Sequence, residues 1–177
     1  TVLLDAHGTR LLFTGDLGRD PSILLPEAEI PEGPIDYLFT ESVYGSRVHE
    51  EVTVSEKVLQ RELARVTKEK GTLLIPSFSL ERTQIILADL DRMVSEKSIE
   101  PIPVFLDSPL ATRVTEVYRK NTSYLKPELQ ARIEKGDDPF SFAELHVTYT
   151  PEDSKQIEET PAPNVIIAGA GMSHGGR

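Results

Sequence analysis

Two carboxylates stand where open α/β proteins put their chemistry. Asp16 closes the run RLLFTGD (10–16), in which the apolar Leu11-Leu12-Phe13 stops at Thr14-Gly15 and the acid follows at once. Glu41 follows DYLFT (36–40) in the same manner, ahead of Ser42-Val43-Tyr44-Gly45. An apolar run bounded by glycine reads as a buried strand, and the C-terminal strand ends of open α/β sheets are where ligands gather. Two carboxylates at two such tips could share one site, and acidic oxygens suit a divalent cation. Spacing alone leaves the plainer alternative open. Gly-Asp is a common turn pair, and an acid at a strand end commonly just faces water.

Three further stretches carry hydroxyls past strand ends. The apolar run 72–75 is followed by Pro76-Ser77-Phe78-Ser79, and 102–106 by Asp107-Ser108-Pro109. The run 164–170 is followed by Gly171-Met172-Ser173-His174-Gly175-Gly176-Arg177. Helix N-termini attract anions through unpaired N–H groups and the helix dipole, and glycine lets a backbone approach a phosphate closely. Ser77, Ser79, Ser108 and Ser173 offer hydroxyls, and Gly175 and Gly176 offer a close backbone. Arg82, one turn into its helix, and Arg177 offer charge. Ser79 and Ser108 also fit as simple N-caps, with Pro109 at the first helical position. One such loop shows nothing. Three at the same edge of one parallel sheet make a ligand crevice.

The elements that must position these residues follow from periodicity. Residues 1–6 and 10–14 form a hairpin-like pair around His7-Gly8-Thr9. The stretch 20–34 carries four prolines and reads as a loop, and 36–40 is the next strand. Beyond Gly45 the pattern turns to strand–helix alternation. Thr53 and Glu56 have capping-box spacing. Val58, Leu59, Leu63 and Val66 make one helical face, closed by Gly71. Strands at 72–75, 102–106, 145–149 and 164–170 alternate with helices at 80–97, 109–120, 127–135 and 151–159. In the helix at 80–97, Ile86, Leu90, Met93 and Val94 point inward. This alternation predicts an α/β fold with a mostly parallel, doubly wound sheet and right-handed crossovers. A domain boundary falls near Gly45, dividing 1–45 from 46–177.

Composition sets the outer limits. The 177 residues suffice for a domain with a real core. Without Cys there is no thiolate metal site, and the four His (His7, His49, His146, His174) form no H-x-H or H-x-x-x-H pair. His7 reads as a turn residue, His146 as a packed one and His174 as a solvated loop residue. The net charge of −10 disfavours a protein that coats nucleic acid indiscriminately, while allowing a local basic groove. The longest apolar stretch, 165–170, is too short to cross a bilayer, and no membrane partner or signal peptide is expected. The abrupt opening and close read as a piece of a longer protein.

TGDLGR followed by ESVYGSRVH resembles the metallo-β-lactamase superfamily in its β-CASP branch of RNA-processing nucleases, whose pattern is TGD-x-GR and then E-S-T-Y-G, often ending in His. Val43 departs from the family's Thr. The blocks 75–84 (IPSFSLERTQ), 105–111 (FLDSPLA) and 165–177 (VIIAGAGMSHGGR) are similar to the same branch. The resemblance implies part of a metallo-β-lactamase domain over 1–45 and a β-CASP domain from 46 on. It implies that Asp16 is a zinc ligand, the carboxylate bridging two zinc ions. It also implies that Glu41 hydrogen-bonds a catalytic histidine, and that RNA threads between the two domains. His49 ends the second block and is expected to make a structural hydrogen bond. The family's H-x-H-x-D-H cluster and its later histidines are not in this sequence, so the chain itself is expected to hold no zinc and to be inactive.

The expected function is therefore a share in a zinc-dependent ribonuclease, cytoplasmic, with RNA as substrate and a homodimer left open. Ser77, Ser79, Arg82, Ser108, Ser173, Gly175, Gly176 and Arg177 are the expected RNA contacts. A catalytically silent RNA- or partner-binding module and a small-molecule metallohydrolase are the alternatives. The long insertion after Gly45 argues against the second of these.

Overall fold

The structure is a computed structural model that describes residues 1–18, 22–169 and 172. Its first sheet is the expected hairpin joined by a third strand. Strands β1 (Val2–Ala6) and β2 (Thr9–Phe13) pair antiparallel, and β3 (Tyr37–Phe39) pairs parallel to β2. His7 (φ 51°) and Gly8 (φ 80°) both take positive φ, as a two-residue hairpin turn requires. His7 is thus the turn residue its position suggests. Because β2 and β3 run the same way, the ends of these two strands lie side by side.

The second sheet is all parallel and carries the core. It contains β4 (Thr72–Pro76), β5 (Val104–Asp107), β6 (Leu145–Val147) and β7 (Asn164–Ala168), in the spatial order β4-β7-β5-β6. The chain steps outward from β4 to β6, then returns to insert β7 between β4 and β5. Alternation along each strand sends two rows to one face. Leu73, Val165, Val104 and Leu145 form one row, and Ile75, Ile167, Leu106 and Val147 the next. Both rows pack with Leu63 of α1 (Val52–Glu69) and with Leu87, Leu90 and Met93 of α2 (Arg82–Ser95). Ala111 of α3 (Pro109–Lys120) and Leu129 of α4 (Pro127–Glu134) complete this core. On the opposite face α5 (Pro151–Gln156) reaches Asp107, while Leu74 remains 59% exposed.

Several local expectations shift by identifiable causes. Thr53 is not an N-cap, because α1 already starts at Val52 behind Glu51, and Glu56 instead pairs with Arg92 at 2.9 Å. Val58 lies off the buried stripe, 40% exposed. Lys70 (φ 52°), not Gly71, takes the left-handed position that closes α1, and the Gly71 N–H bonds Val66 O in a Schellman pattern. The strand foreseen at 102–106 begins later, because Pro101 and Pro103 have no N–H for the ladder. The helix foreseen at 151–159 tightens to a 3₁₀ turn from Ile157. Its start is a full capping box between Thr150 and Asp153. His146 stacks on Phe105 with ring centroids 5.2 Å apart, and His49 tilts against the Tyr44 ring at 4.4 Å, with no hydrogen bond to another described residue. Among the described residues, no helix is long and apolar enough to cross a membrane.

The proline-rich stretch between β2 and β3 is more than a surface loop. Ser22 Oγ accepts from the N–H groups of Leu24 and Leu25, and Leu24 O accepts from Lys126 N–H at 2.8 Å. The Leu24 side chain is fully buried in the α/β core, with Ile23 and Leu25 packed beside it. A buried Leu deleted to Ala loses its transfer free energy and leaves a cavity. Leu24→Ala should therefore destabilise the chain by roughly 2–5 kcal/mol in urea unfolding. A change under about 0.5 kcal/mol, typical of a surface position, would place Leu24 outside the core.

Candidate RNA-binding edge and the Asp16 loop

The loops that leave β4 and β5 meet the tip of β7 at one edge of the parallel sheet. Parallel strands point their C-terminal ends the same way, so this follows from the topology. The contacts show how close the meeting is. Ser77 N–H donates to Ala168 O at 2.9 Å. A Cβ on Gly169 would stand 3.3 Å from Ser108 Oγ. The tip of β7 is thus wedged between the Ser77 loop and the Ser108 loop. Ser173, Gly175, Gly176 and Arg177, with His174, lie outside the described residues.

The loop between β4 and α2 is tied down from the helix. Thr83 Oγ1 donates to Phe78 O at 2.7 Å and approaches Ser77 Oγ at 3.1 Å. Gln84, fully buried, donates through Nε2 to Ser79 O and to Thr115 Oγ1 of α3. Ser77 is buried and its hydroxyl is engaged with Thr83 and Phe78 O, so it shapes the loop. Ser79 is half-buried and is not the N-cap, since the chain turns again at Glu81 before the helix begins. Arg82 is consequently the first helical residue and not one turn in. It is exposed and forms no ion pair with a described residue. Phe78 is 58% exposed on the same loop.

Ser108 behaves as its spacing suggests. Its Oγ accepts from Ala111 N–H at 3.3 Å, with Pro109 at the first helical position. Asp107 just before it is buried. Its carboxylate accepts from Thr148 Oγ1 at 2.7 Å and from Ser154 Oγ at 2.6 Å. That pins the ends of β5 and β6 and the start of α5 together.

Asp16 and Glu41 do come together. Thr14 N–H donates to Phe39 O at 2.9 Å, which closes the parallel ladder just before the two acids. Gly15 takes φ 61°, a turn that favours glycine. Glu41 Oε1 then accepts from Leu17 N–H at 2.8 Å and spans the Asp16 loop. Asp16 is exposed at the tip and Glu41 half-buried. The Asp16 loop also reaches the other layer, because a Cβ on Gly18 would stand 3.6 Å from Glu81 Oε1. Asp16 and Glu41 therefore lie close to the loop that enters α2. Among the described residues, no group of three or more His, Asp or Glu is placed to hold a metal ion. Asp16 is a suitable oxygen donor, but the described residues do not complete a metal site around it.

Sequence reasoning missed Glu81, Gly169 and Leu24. None has a local signature. Each matters through a contact with a residue distant in the chain.

Comparison with known proteins agrees with this architecture. The Beta-Casp domain model matches residues 83–177, more than half of the chain. The chain is 34% identical over 177 residues to Ribonuclease TTHA0252 of Thermus thermophilus, covering 99% of this chain and 40% of that protein. It is 29% identical to Endoribonuclease YSH1 of Mycosarcoma maydis, covering 98% of this chain and 19% of that protein. It is 27% identical to the RNase J-like protein of Methanocaldococcus jannaschii, covering 99% of this chain and 40% of that protein. The chain thus spans no more than 40% of the length of these three relatives. With the parallel α/β sheet, the converging loops and this match in hand, the chain belongs to the Beta-Casp domain family.

Proposed function

We propose that this chain is the substrate-gripping part of a nuclease that hydrolyses RNA phosphodiester bonds. The observation that carries the reading is the wedge of β7 between the Ser77 and Ser108 loops, next to the Asp16 loop. It sets an anion-attracting sheet edge beside two carboxylates. Relatives bearing the names ribonuclease and endoribonuclease support RNA as the substrate class.

The roles divide by exposure. Arg82, exposed at the head of α2, and the half-buried Ser79 contact phosphate, together with backbone N–H groups of the crevice. Ser77 and Ser108, with engaged hydroxyls, set the loop shapes. Ser173, Gly175, Gly176 and Arg177 are assigned to RNA contact by their sequence block alone. Phe78 offers an exposed ring on which an unpaired base can stack.

Residues 1–45 are assigned to part of a metallo-β-lactamase domain. Supporting this, the β1–β3 sheet exposes apolar side chains on both faces, Val2, Leu4 and Tyr37 on one and Leu3 and Leu38 on the other. A sheet apolar on both faces belongs inside a layered structure. Zinc, two ions in the whole protein, is the metal assigned to this nuclease. Such a pair supplies an activated water and charge neutralisation at phosphorus. From this chain only Asp16 is offered as a ligand, and the isolated chain is expected to be inactive. Glu41 holds the Asp16 loop through Leu17 and is assigned to orient a histidine from elsewhere in the protein.

Two variants of the whole protein test these assignments. Asp16→Asn should abolish phosphodiester cleavage while leaving thermal unfolding unchanged. Near-normal cleavage in that variant would make Asp16 a turn residue. Arg82→Ala should weaken RNA binding across unrelated sequences and flatten the salt dependence by about one unit of log–log slope, the share of a single phosphate contact. Arg82→Lys should keep that slope. Unchanged affinity and slope in both variants, with lower thermal stability, would make Arg82 purely structural.

A further inference from the structure

Glu81 occupies a conformation that its residue type does not favour. At φ 60° and ψ −55° it is the centre of a three-residue turn closed by Arg82 N–H to Leu80 O at 2.7 Å. Such γ-turns are rare and strained, and a non-glycine residue held there persists only when its surroundings over-determine it. Here they do. Thr83 bonds Phe78 O, Gln84 bonds Ser79 O, and Ile85 N–H bonds Glu81 O at 2.9 Å. All of those bonds use backbone groups of the loop. None uses the Glu81 side chain, which makes no capping bond to α2. Glycine would adopt this turn without the steric penalty.

The side chain instead reaches across to the other layer. Its Oε1 and Oε2 stand 3.6 and 3.9 Å from where a Cβ of Gly18 would lie, two residues past Asp16. These are ordinary van der Waals distances, so the carboxylate lies close against position 18 without crowding it. Its negative charge is also felt by Tyr118 of α3, whose hydroxyl is pushed above its ordinary value by burial first and by Glu81 second. Glu81 thus joins the head of α2 to the neighbourhood of the Asp16 loop.

We infer that Glu81 is a positioning residue, a strut that sets the Asp16 loop against the head of α2 and so fixes Asp16 relative to the phosphate-gripping crevice. The strained turn is what aims the strut. The inference rests on the nuclease reading for its consequence, but not for its geometry.

The test uses Glu81→Gly, which relieves the turn and removes the strut, and Glu81→Gln, which keeps the turn and the length of the side chain. In the whole protein, Glu81→Gly should raise the thermal midpoint yet speed hydrogen exchange of the Leu17 amide about tenfold or more. With RNA it should lower kcat about tenfold or more with KM within twofold. Glu81→Gln should restore both exchange and kcat. A residue that only serves the turn would give higher stability with wild-type exchange and wild-type kcat. Wild-type Leu17 exchange in Glu81→Gly overturns the inference. So does wild-type kcat in that variant, where the unsubstituted protein cleaves RNA. If the unsubstituted protein cleaves no RNA, the nuclease reading falls, and Leu17 exchange alone decides whether Glu81 is a strut.

Discussion

The insertion of β7 between β4 and β5 governs the rest of the molecule. It brings Val165 and Ile167, both essentially fully buried, to the centre of the sheet, where they join the two apolar rows that α1–α4 cover. The same insertion drives the tip of β7 between two loops. The Ser77 N–H finds Ala168 O, and the Ser108 hydroxyl lies against Gly169. A side chain at Gly169 would press on the Ser108 cap. The core and the meeting of the two loops at the tip of β7 are therefore consequences of one topological choice.

The helices are riveted to each other by ion pairs more than by capping. Arg92 of α2 meets Glu56 of α1 at 2.9 Å and Asp89 at 3.0 Å. Arg132 of α4 meets Asp91 of α2 at 2.7 Å and Asp137 at the same distance. Burial pushes the carboxyls of Asp89 and Asp91 up, so these pairs are partly offset by desolvation. Their worth lies more in fixing where α2 sits than in net stability. That placement matters because α2 carries Arg82 at its head and is entered through Glu81. Leu24 adds a tie of another kind, an apolar side chain from the segment after the Asp16 loop buried among the helices of the α/β layer.

The alternating pattern after Gly45 made the parallel sheet legible, because strand and helix periods differ and each run was long enough to show its own. The hairpin at His7-Gly8 and the Ser108-Pro109 helix start were legible for the same local reason. What stayed hidden was non-local. Leu24 sits among prolines and acids, so its stretch looks like a solvated loop until the core it enters is known. A glutamate gives no hint of the positive φ that Glu81 adopts. The alternative of Ser79 as an N-cap fails because of the extra turn at Glu81, which is invisible in residue types. By spacing alone Asp16 and Glu41 look more like turn acids than site acids, and only the motif wording around them points the other way. The Leu17 N–H bond to Glu41 shows that the two strand tips are tied to each other.

The central claim is that the β7 wedge forms the floor of an RNA path running toward Asp16. Photocrosslinking of the whole protein to a single-stranded RNA carrying a reactive base at each position in turn, with the adducts mapped by mass spectrometry, tests it directly. The account predicts adducts concentrated in peptides covering 76–82, 107–109 and the stretch beyond Ala168, with Phe78 prominent and α1 and α4 clean. Adducts confined to α1, α4 or the exposed face of β1–β3, with none on the loops that enclose β7, would contradict it.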